Sequence, residues 1–157
     1  MATINAQLTV TSDVSSYGIS INNDMTMTKA GSVTGLDKAT GLVRKTLTSK
    51  NEVDLLVVGA GTVEDVANDK FSSKLYIKNV NSDSSEFFTV GLGKPSGGTT
   101  KQAFAVSADA NRSVEIGCLY AGDFMIIPWD AASDENDIFV KPSVNTEMVI
   151  EYMVFFE

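Results

Sequence analysis

The side chains that could carry out chemistry in this chain are few, and their spacing is poor for it. No histidine occurs among the 157 residues, so the commonest general base and the commonest metal ligand are both missing. Serine–lysine neighbours occur at Ser49-Lys50 and Ser73-Lys74, but adjacent residues of a strand point to opposite faces and do not pair. Cys118 alternates in phase with apolar neighbours, so we expect a buried core cysteine without a base beside it. The residue types therefore predict no catalytic residues and a protein that is not an enzyme.

Two local clusters resemble binding motifs but fail on spacing. Gly59-Ala60-Gly61-Thr62 lacks the third glycine of a dinucleotide fingerprint, and three acidic residues within 64–69 would repel a pyrophosphate. The acidic residues within 130–137 offer oxygen ligands for calcium, but without the spacing or the glycine of a calcium loop. We predict a turn and a solvated loop, with a cation trapped on a symmetry axis as the lesser alternative. No cofactor and no metal site are therefore expected.

Three aromatic residues, Phe124, Trp129 and Phe139, are candidates for a platform on which a sugar would stack. Core packing is the preferred interpretation, because aromatic side chains supply large buried areas. The platform is kept as the alternative, since it would give the chain a glycan-binding role.

The elements that position these residues are strands. The chain holds 17 valines and 9 leucines, together with 30 serines and threonines, and β-branched residues pack well on a pleated surface. Turn clusters rich in Gly, Asn, Asp and Ser separate the apolar runs. These features predict an all-β fold, either an antiparallel β-sandwich or a jelly roll, with at most one or two short helical turns near residues 62–67. The alternating or apolar runs lie at residues 7–11, 17–28, 53–58, 74–79, 88–92, 104–106, 113–120, 124–127, 138–140 and 148–156.

Length and charge limit the organisation and the partners. We predict a single β domain over residues 1–157, with residues 29–48 as an extended loop or arm that holds one strand near Leu42-Val43. The net charge of −8 would repel phosphate backbones, which argues against nucleic-acid binding. No apolar run approaches the ~20 residues of a membrane helix, so no membrane partner is expected. A single cysteine and a start without a signal-peptide pattern predict folding in a cytosol.

The last strand is the most informative element. Its even-numbered residues from Met148 to Phe156 are apolar, and its odd-numbered face turns apolar at Met153 and Phe155. A strand that is apolar on both faces needs cover on both. It is therefore either central in the fold or buried against a neighbouring subunit, and we favour the subunit. Met153, Phe155 and Phe156 are the candidate interface residues.

Several C-terminal segments share a recurrent rhythm: a strand that ends in asparagine, a glycine turn before an apolar strand with proline, a short strand and an aromatic closing strand. They are residues 75–79, 86–92, 119–129, 137–141 and 149–152. In this rhythm the chain resembles accessory virion proteins of tailed bacteriophages, such as capsid decoration or cement proteins and tail-associated β-sandwich proteins. The resemblance covers about half of the chain and carries no functional residues.

The resemblance implies a β-sandwich or jelly roll without catalysis, made in the host cytoplasm and located in the virion. The implied function is binding to the outer surface of a capsid as a decoration protein. The implied partner is the major capsid protein or another virion protein, and the implied state is a homo-oligomer such as a trimer. A tail fibre, a knob or another glycan- or receptor-binding β module is the alternative.

Overall fold

In the residues that it describes, the computed structural model of this chain has eleven strands and no helix. The described residues are 3–12, 19–28, 33, 35–56, 72–93, 114–130 and 137–156. The helical turns predicted near residues 62–67 lie outside them. The strands are β1 (Asn5–Ser12), β2 (Ile19–Thr26), β3 (Lys38–Ala39), β4 (Val43–Leu47), β5 (Val53–Leu56), β6 (Ser72–Asn79), β7 (Phe87–Leu92), β8 (Val114–Tyr120), β9 (Phe124–Asp130), β10 (Ile138–Pro142) and β11 (Met148–Phe156).

The strands form three antiparallel sheets. A four-stranded sheet has the order β5-β10-β7-β8, and a five-stranded sheet has β6 between β9 and β11, with β3 and β4 both pairing with β11. β1 and β2 pair only with each other in the described residues. The predicted all-β antiparallel fold is confirmed, and the architecture is consistent with a β-sandwich. The jelly roll stays a prediction.

One apolar core joins the four-stranded and five-stranded sheets. Alternation along each strand turns one row of side chains inward, and their removal from water is the main favourable term in folding. The larger sheet contributes Leu75, Ile77, Met148, Ile150 and Val154, and the smaller sheet contributes Leu55, Leu56, Phe88, Val90, Leu119, Ile138 and Val140.

β9 continues through Pro128, where the sequence predicted that the strand would end. Proline has no N–H to donate, so it is tolerated only where a strand has a free side. In the described residues β9 pairs only with β6 and is an edge strand. The edge position therefore explains why Pro128 does not end the strand.

Asn79 forms a polar junction inside this apolar core. Its side chain is fully buried, and its amide nitrogen donates to the carbonyl oxygens of Leu119 at 3.0 Å and of Glu86 at 3.4 Å. Its amide oxygen accepts from the backbone N–H of Asn81 at 3.0 Å. Asn81 in turn accepts from the N–H of Val149 at 2.9 Å. These bonds connect the end of β6 with β8 and β11.

β1 and β2 form a hairpin whose base is tied to residues 35–36. The N–H of Ile4 donates to the carbonyl of Leu36 at 3.0 Å, and the N–H of Leu36 donates to the carbonyl of Met27 at 2.8 Å. Met27 and Leu36 are buried at this base. Among the described side chains of β1 and β2, Ala6 is half-buried and all the others are exposed.

Residues 35–48 of the predicted loop or arm 29–48 contain β3 and β4, which both pair with β11. β4 begins at Val43, where one strand was predicted. One expectation about local structure needs correction. Cys118 is exposed, not buried, because its face of β8 points away from the core while Leu119 points inward. Alternation was correct for β8, but the buried side was assigned wrongly.

Candidate functional site

The most connected group of charged side chains lies on the side of the five-stranded sheet that faces away from the core. Glu151 is only 6% exposed, and its Oε2 accepts from Nε of Arg44 at 2.8 Å. The hydroxyl of Tyr76 donates to Oε1 of Glu151 over 3.5 Å. Burial, followed by the negative charge of Glu151, raises the pKa of Tyr76 above its usual value. Arg44, Tyr76 and Glu151 therefore link β4, β6 and β11. The raised pKa keeps the hydroxyl proton on Tyr76.

A pair of acidic residues, Asp54 and Asp137, lies where β5 meets β10. Burial raises the pKa of Asp54, and the charge of Asp137 raises it further, while Lys45 acts in the opposite direction. Nζ of Lys45 donates to the backbone carbonyl of Asp54 at 2.8 Å, and Oδ1 of Asp54 is buried without a hydrogen bond. The pair makes Asp54 a carboxyl group that ionises reluctantly.

Among the described residues, no group of three or more His, Cys, Asp or Glu is arranged to hold a metal ion. Within the same residues, no helix is long and apolar enough to cross a membrane.

The three candidate platform aromatics do not form an exposed platform. Trp129 is 2% exposed and Phe139 is fully buried, so neither presents a ring on which a sugar could stack. Phe124 alone is exposed, at 55%, and its ring centroid lies 6.3 Å from that of Tyr76. Core packing, the preferred interpretation, describes Trp129 and Phe139.

The three candidate interface residues of the last strand are divided between two faces. β11 is a central strand with β6 on one side and β3 and β4 on the other. Phe156 belongs to the core cluster and is 7% exposed. Met153 and Phe155 point away from the core and are half-buried. The subunit contact stays a prediction, and Met153 and Phe155 are the two candidates on an outer face.

The side of the five-stranded sheet that faces away from the core is itself largely apolar, and we call it the outer sheet face. Phe124 and Ile126 on β9 are exposed there. Tyr76 on β6 lies opposite Ile126 and Met153 in the strand register. The described side chains of this face include Ala39, Arg44, Thr46, Lys74, Tyr76, Lys78, Phe124, Ile126, Pro128, Val149, Glu151, Met153 and Phe155.

The β1–β2 hairpin has one apolar face, which we call the hairpin face. The register places Ala6 opposite Met25, Leu8 opposite Asn23 and Val10 opposite Ile21. Cross-strand partners lie on the same side of a sheet, so these residues share a face and the polar residues share the other. The four largest members, Leu8, Val10, Ile21 and Met25, are 42–51% exposed.

β8 carries a third exposed row. Val114, Ile116 and Tyr120 are 40–48% exposed, and Cys118 lies in the same row. The ring of Tyr120 packs against that of Phe87 with centroids 5.1 Å apart. β8 is the edge of the four-stranded sheet in the described residues, so its outer side offers both apolar side chains and backbone groups.

Comparison with protein families, with curated proteins and with solved structures finds no match for this chain. The geometry is therefore what remains to indicate a function. In the described residues it leaves three surfaces on which large apolar side chains meet water.

Sequence reasoning placed the hairpin residues on strands and assigned them to faces by parity, but it neither paired the two strands nor identified their apolar face as an interaction surface. The signal was present, because residues 17–28 alternate as regularly as any core strand. It was missed because alternation normally means one buried face, and nothing in the local pattern says that the face stays uncovered.

Proposed function

We propose that this chain is a non-enzymatic structural protein of a virion, which binds the outer surface of a tailed-phage capsid as a decoration or cement protein. The observation that carries the proposal is the hairpin face, where four large apolar side chains are held 42–51% exposed on a two-stranded element.

The hairpin face supports a role in assembly because the hairpin cannot bury it alone. An isolated two-stranded hairpin is at best marginally stable in water. Burying apolar surface contributes roughly 25 cal/mol per Å², and here that contribution is available only when another polypeptide covers the face. Binding would therefore stabilise the assembled state and not the free chain, as a cement protein requires.

The virion assignment is supported by the resemblance of the C-terminal segments to phage accessory proteins. Those segments fall on β6 to β11 and on the turn at Gly122, where the backbone has a positive φ of 85° that favours glycine. The major capsid protein, or another virion protein, is the proposed partner, and the β8 row offers a surface for it. The protein would be made in the host cytoplasm and located in the virion.

Purified particles of the phage that encodes this chain test the proposal. We expect the chain in purified virions by mass spectrometry, and on the outside of the capsid by antibody labelling in the electron microscope. Particles assembled without it should bind the purified protein saturably, with a copy number that follows capsid symmetry. A chain that is made during infection but absent from washed particles would refute the virion assignment.

A glycan- or receptor-binding module is the second candidate function, and one observation favours it. Phe124 is exposed beside Tyr76, with Arg44 and Glu151 further along the same face. On a glycan array, this function requires sugar binding that Phe124→Ala abolishes without a loss of stability. The capsid proposal expects sugar binding neither from the unmodified chain nor from Phe124→Ala.

Trp129→Ala serves as the control for the glycan experiment. Trp129 is buried, so its truncation should lower stability whatever the function is. A loss of binding in this variant alone would reflect unfolding.

A further inference from the structure

We propose that the outer sheet face binds an acidic segment of a partner polypeptide, in which carboxylate side chains flank an apolar one. This inference rests on the proposed assembly role and adds a second contact surface, with its chemistry, to the hairpin face. It is carried by three basic side chains on the outer sheet face, by the apolar row between them, and by the acidic character of the chain as a whole.

Arg44 is held in position by a buried carboxylate. Its Nε donates to Oε2 of Glu151 at 2.8 Å, and the side chain of Glu151 is 8% exposed whereas that of Arg44 is 66% exposed. The hydroxyl of Tyr76 donates to the other carboxylate oxygen. Nη1 and Nη2 of Arg44 make no hydrogen bond with any described residue. An arginine whose terminal amino groups are free is well suited to receive a second carboxylate.

Two lysines of β6 add positive charge to the same face. The strand register places Lys78 beside Glu151 and Lys74 beside Phe155. Neither lysine makes an ion pair or a hydrogen bond within the part of the chain that the structure describes. The described side chains of the outer sheet face thus carry three positive charges and one negative, or +2, on a chain whose net charge is −8. Its charge is therefore complementary to an acidic partner.

The spacing of residues along β6 defines the pattern that fits. Lys74, Tyr76 and Lys78 are alternate residues of one strand, so their side chains lie on the same side of the sheet. Successive members are about 6.7 Å apart, which is also the repeat of side chains on one face of an extended partner. An extended segment over β6 can therefore place an apolar side chain over Tyr76 and a carboxylate near each lysine.

The apolar row between the lysines favours a polypeptide over a sugar or a nucleic acid. Ile126 and Met153 lie on either side of Tyr76 in the register, and Phe124 and Ile126 are exposed. Burial of such side chains is favourable, and tyrosine and arginine are enriched among the residues that dominate protein interfaces. A nucleic acid would supply negative charge without apolar side chains, whereas an acidic polypeptide supplies both.

A pair of synthetic peptides tests this inference without the virion. The acidic peptide has the sequence Thr-Glu-Thr-Phe-Thr-Glu-Thr with both ends blocked, and the basic peptide has lysine in place of each glutamate. Each is titrated into the isotope-labelled full chain and followed by NMR. We expect the acidic peptide to shift the amide signals of β6 and β11 and to bind at least about tenfold more tightly than the basic one. Its affinity should fall as salt rises.

Substitutions locate the contact on the outer sheet face. Lys78→Gln removes one charge from the face and should weaken binding of the acidic peptide about threefold to tenfold. Lys50→Gln is the matched control, because Lys50 is exposed outside this face, and it should change the affinity less than about twofold. Arg44→Lys keeps the charge but loses the planar fork, so it should also weaken binding. Equal urea midpoints would show that folding is preserved, and Lys78→Gln decides the matter if Arg44→Lys is destabilised.

Several outcomes would overturn the inference. These are the absence of any binding, equal binding of the two peptides, and equal losses in Lys78→Gln and Lys50→Gln. Binding of an oligosaccharide of galacturonic acid in place of the acidic peptide would overturn it in favour of the glycan-binding function. Self-association of the chain that Lys78→Gln abolishes, without peptide binding, would overturn it in favour of a second copy.

The same variants separate this inference from the virion proposal. Peptide binding as expected, by a chain that is absent from washed particles, would support this inference and refute the virion proposal. Particles that bind the unmodified chain and Lys78→Gln equally well, with no peptide binding, would overturn this inference and leave the virion proposal standing.

Discussion

The hairpin and the sandwich are built from the same alternating pattern, but they treat their apolar side chains differently. In the sandwich, Ile77 is fully buried between two sheets. In the hairpin, Ile21 is 51% exposed on a sheet with no second layer in the described residues. The pattern therefore determines which residues share a face, while the number of layers determines whether that face is covered. Binding of a partner to the uncovered face would remove its exposed apolar surface from water.

The largest expected effect compares these two isoleucines directly. Ile77→Ala should cost about 2–5 kcal/mol of unfolding free energy, because it removes transfer free energy and leaves a cavity. Ile21→Ala should cost less than about 0.5 kcal/mol when measured at a dilution where the chain is monomeric. Urea unfolding followed by tryptophan fluorescence reports both, since Trp129 lies in the core. Comparable costs for the two variants would mean that the free chain buries its own hairpin face.

Much of the sandwich could be predicted from the sequence. Parity alone paired Leu75 with Ile77, and Phe88 with Val90, and each pair is buried. The even-numbered face of β11 is buried in the core, as its apolar residues indicated, while cover over Met153 and Phe155 stays a prediction. The local pattern could not distinguish the core from a partner. β6 and β4, the neighbours of β11, lie more than seventy residues earlier in the chain.

The candidate site was less predictable than the fold. Phe124 and Trp129 lie five positions apart on the same strand, yet one ring is exposed and the other is buried. Their opposite parity places them on different faces, but which face is buried depends on the sheet that packs against it. On β8, the same ambiguity led to Cys118 being assigned to the core. Contacts between segments that are distant in the sequence determine which face of a strand is buried. The periodicity of a single strand carries no information about those contacts.

The second prediction concerns the polar junction, which exists in the sandwich and has no counterpart in the described hairpin. Asn79→Ala removes the bonds to Leu119 and Glu86 and leaves buried backbone groups without partners. We expect a loss of about 2–3 kcal/mol, in the range for unsatisfied buried polar groups. The exposed hairpin residue Asn23 provides the matched control, and Asn23→Ala should be nearly neutral. Thermal unfolding measures the loss of stability in each variant. Equal losses in the two variants would contradict a special role for Asn79.

The third prediction tests how tightly the four-stranded sheet is packed. A Cβ at Gly91 would overlap the ring of Phe139 and lie 2.6 Å from the carbonyl oxygen of Val114. The backbone oxygen cannot move as freely as a side-chain end, so Gly91→Ala should destabilise the protein by about 1–3 kcal/mol. Gly117 lies on neighbouring β8, and a Cβ there meets nothing within 4 Å. Gly117→Ala should therefore leave the urea midpoint almost unchanged, and a larger loss there than at Gly91 would refute this account.

The smallest effect is a pH dependence in the sandwich that the hairpin should lack. The pKa of Asp54 is raised above 3.8, first by burial and then by the charge of Asp137. The folded chain therefore holds this proton more tightly than the unfolded chain, so stability falls as pH rises from 3.8 through the folded pKa and then levels off. Asp54→Asn removes this loss and should be more stable at neutral pH, by roughly a few tenths of a kcal/mol after solvent screening. Asp24→Asn, which removes an exposed carboxylate from the hairpin, is the matched control. Urea unfolding across this pH range measures the gap between each variant and the unmodified chain. A gap for Asp54→Asn that does not change with pH would show that the carboxyl group ionises as freely in the folded chain as in the unfolded one.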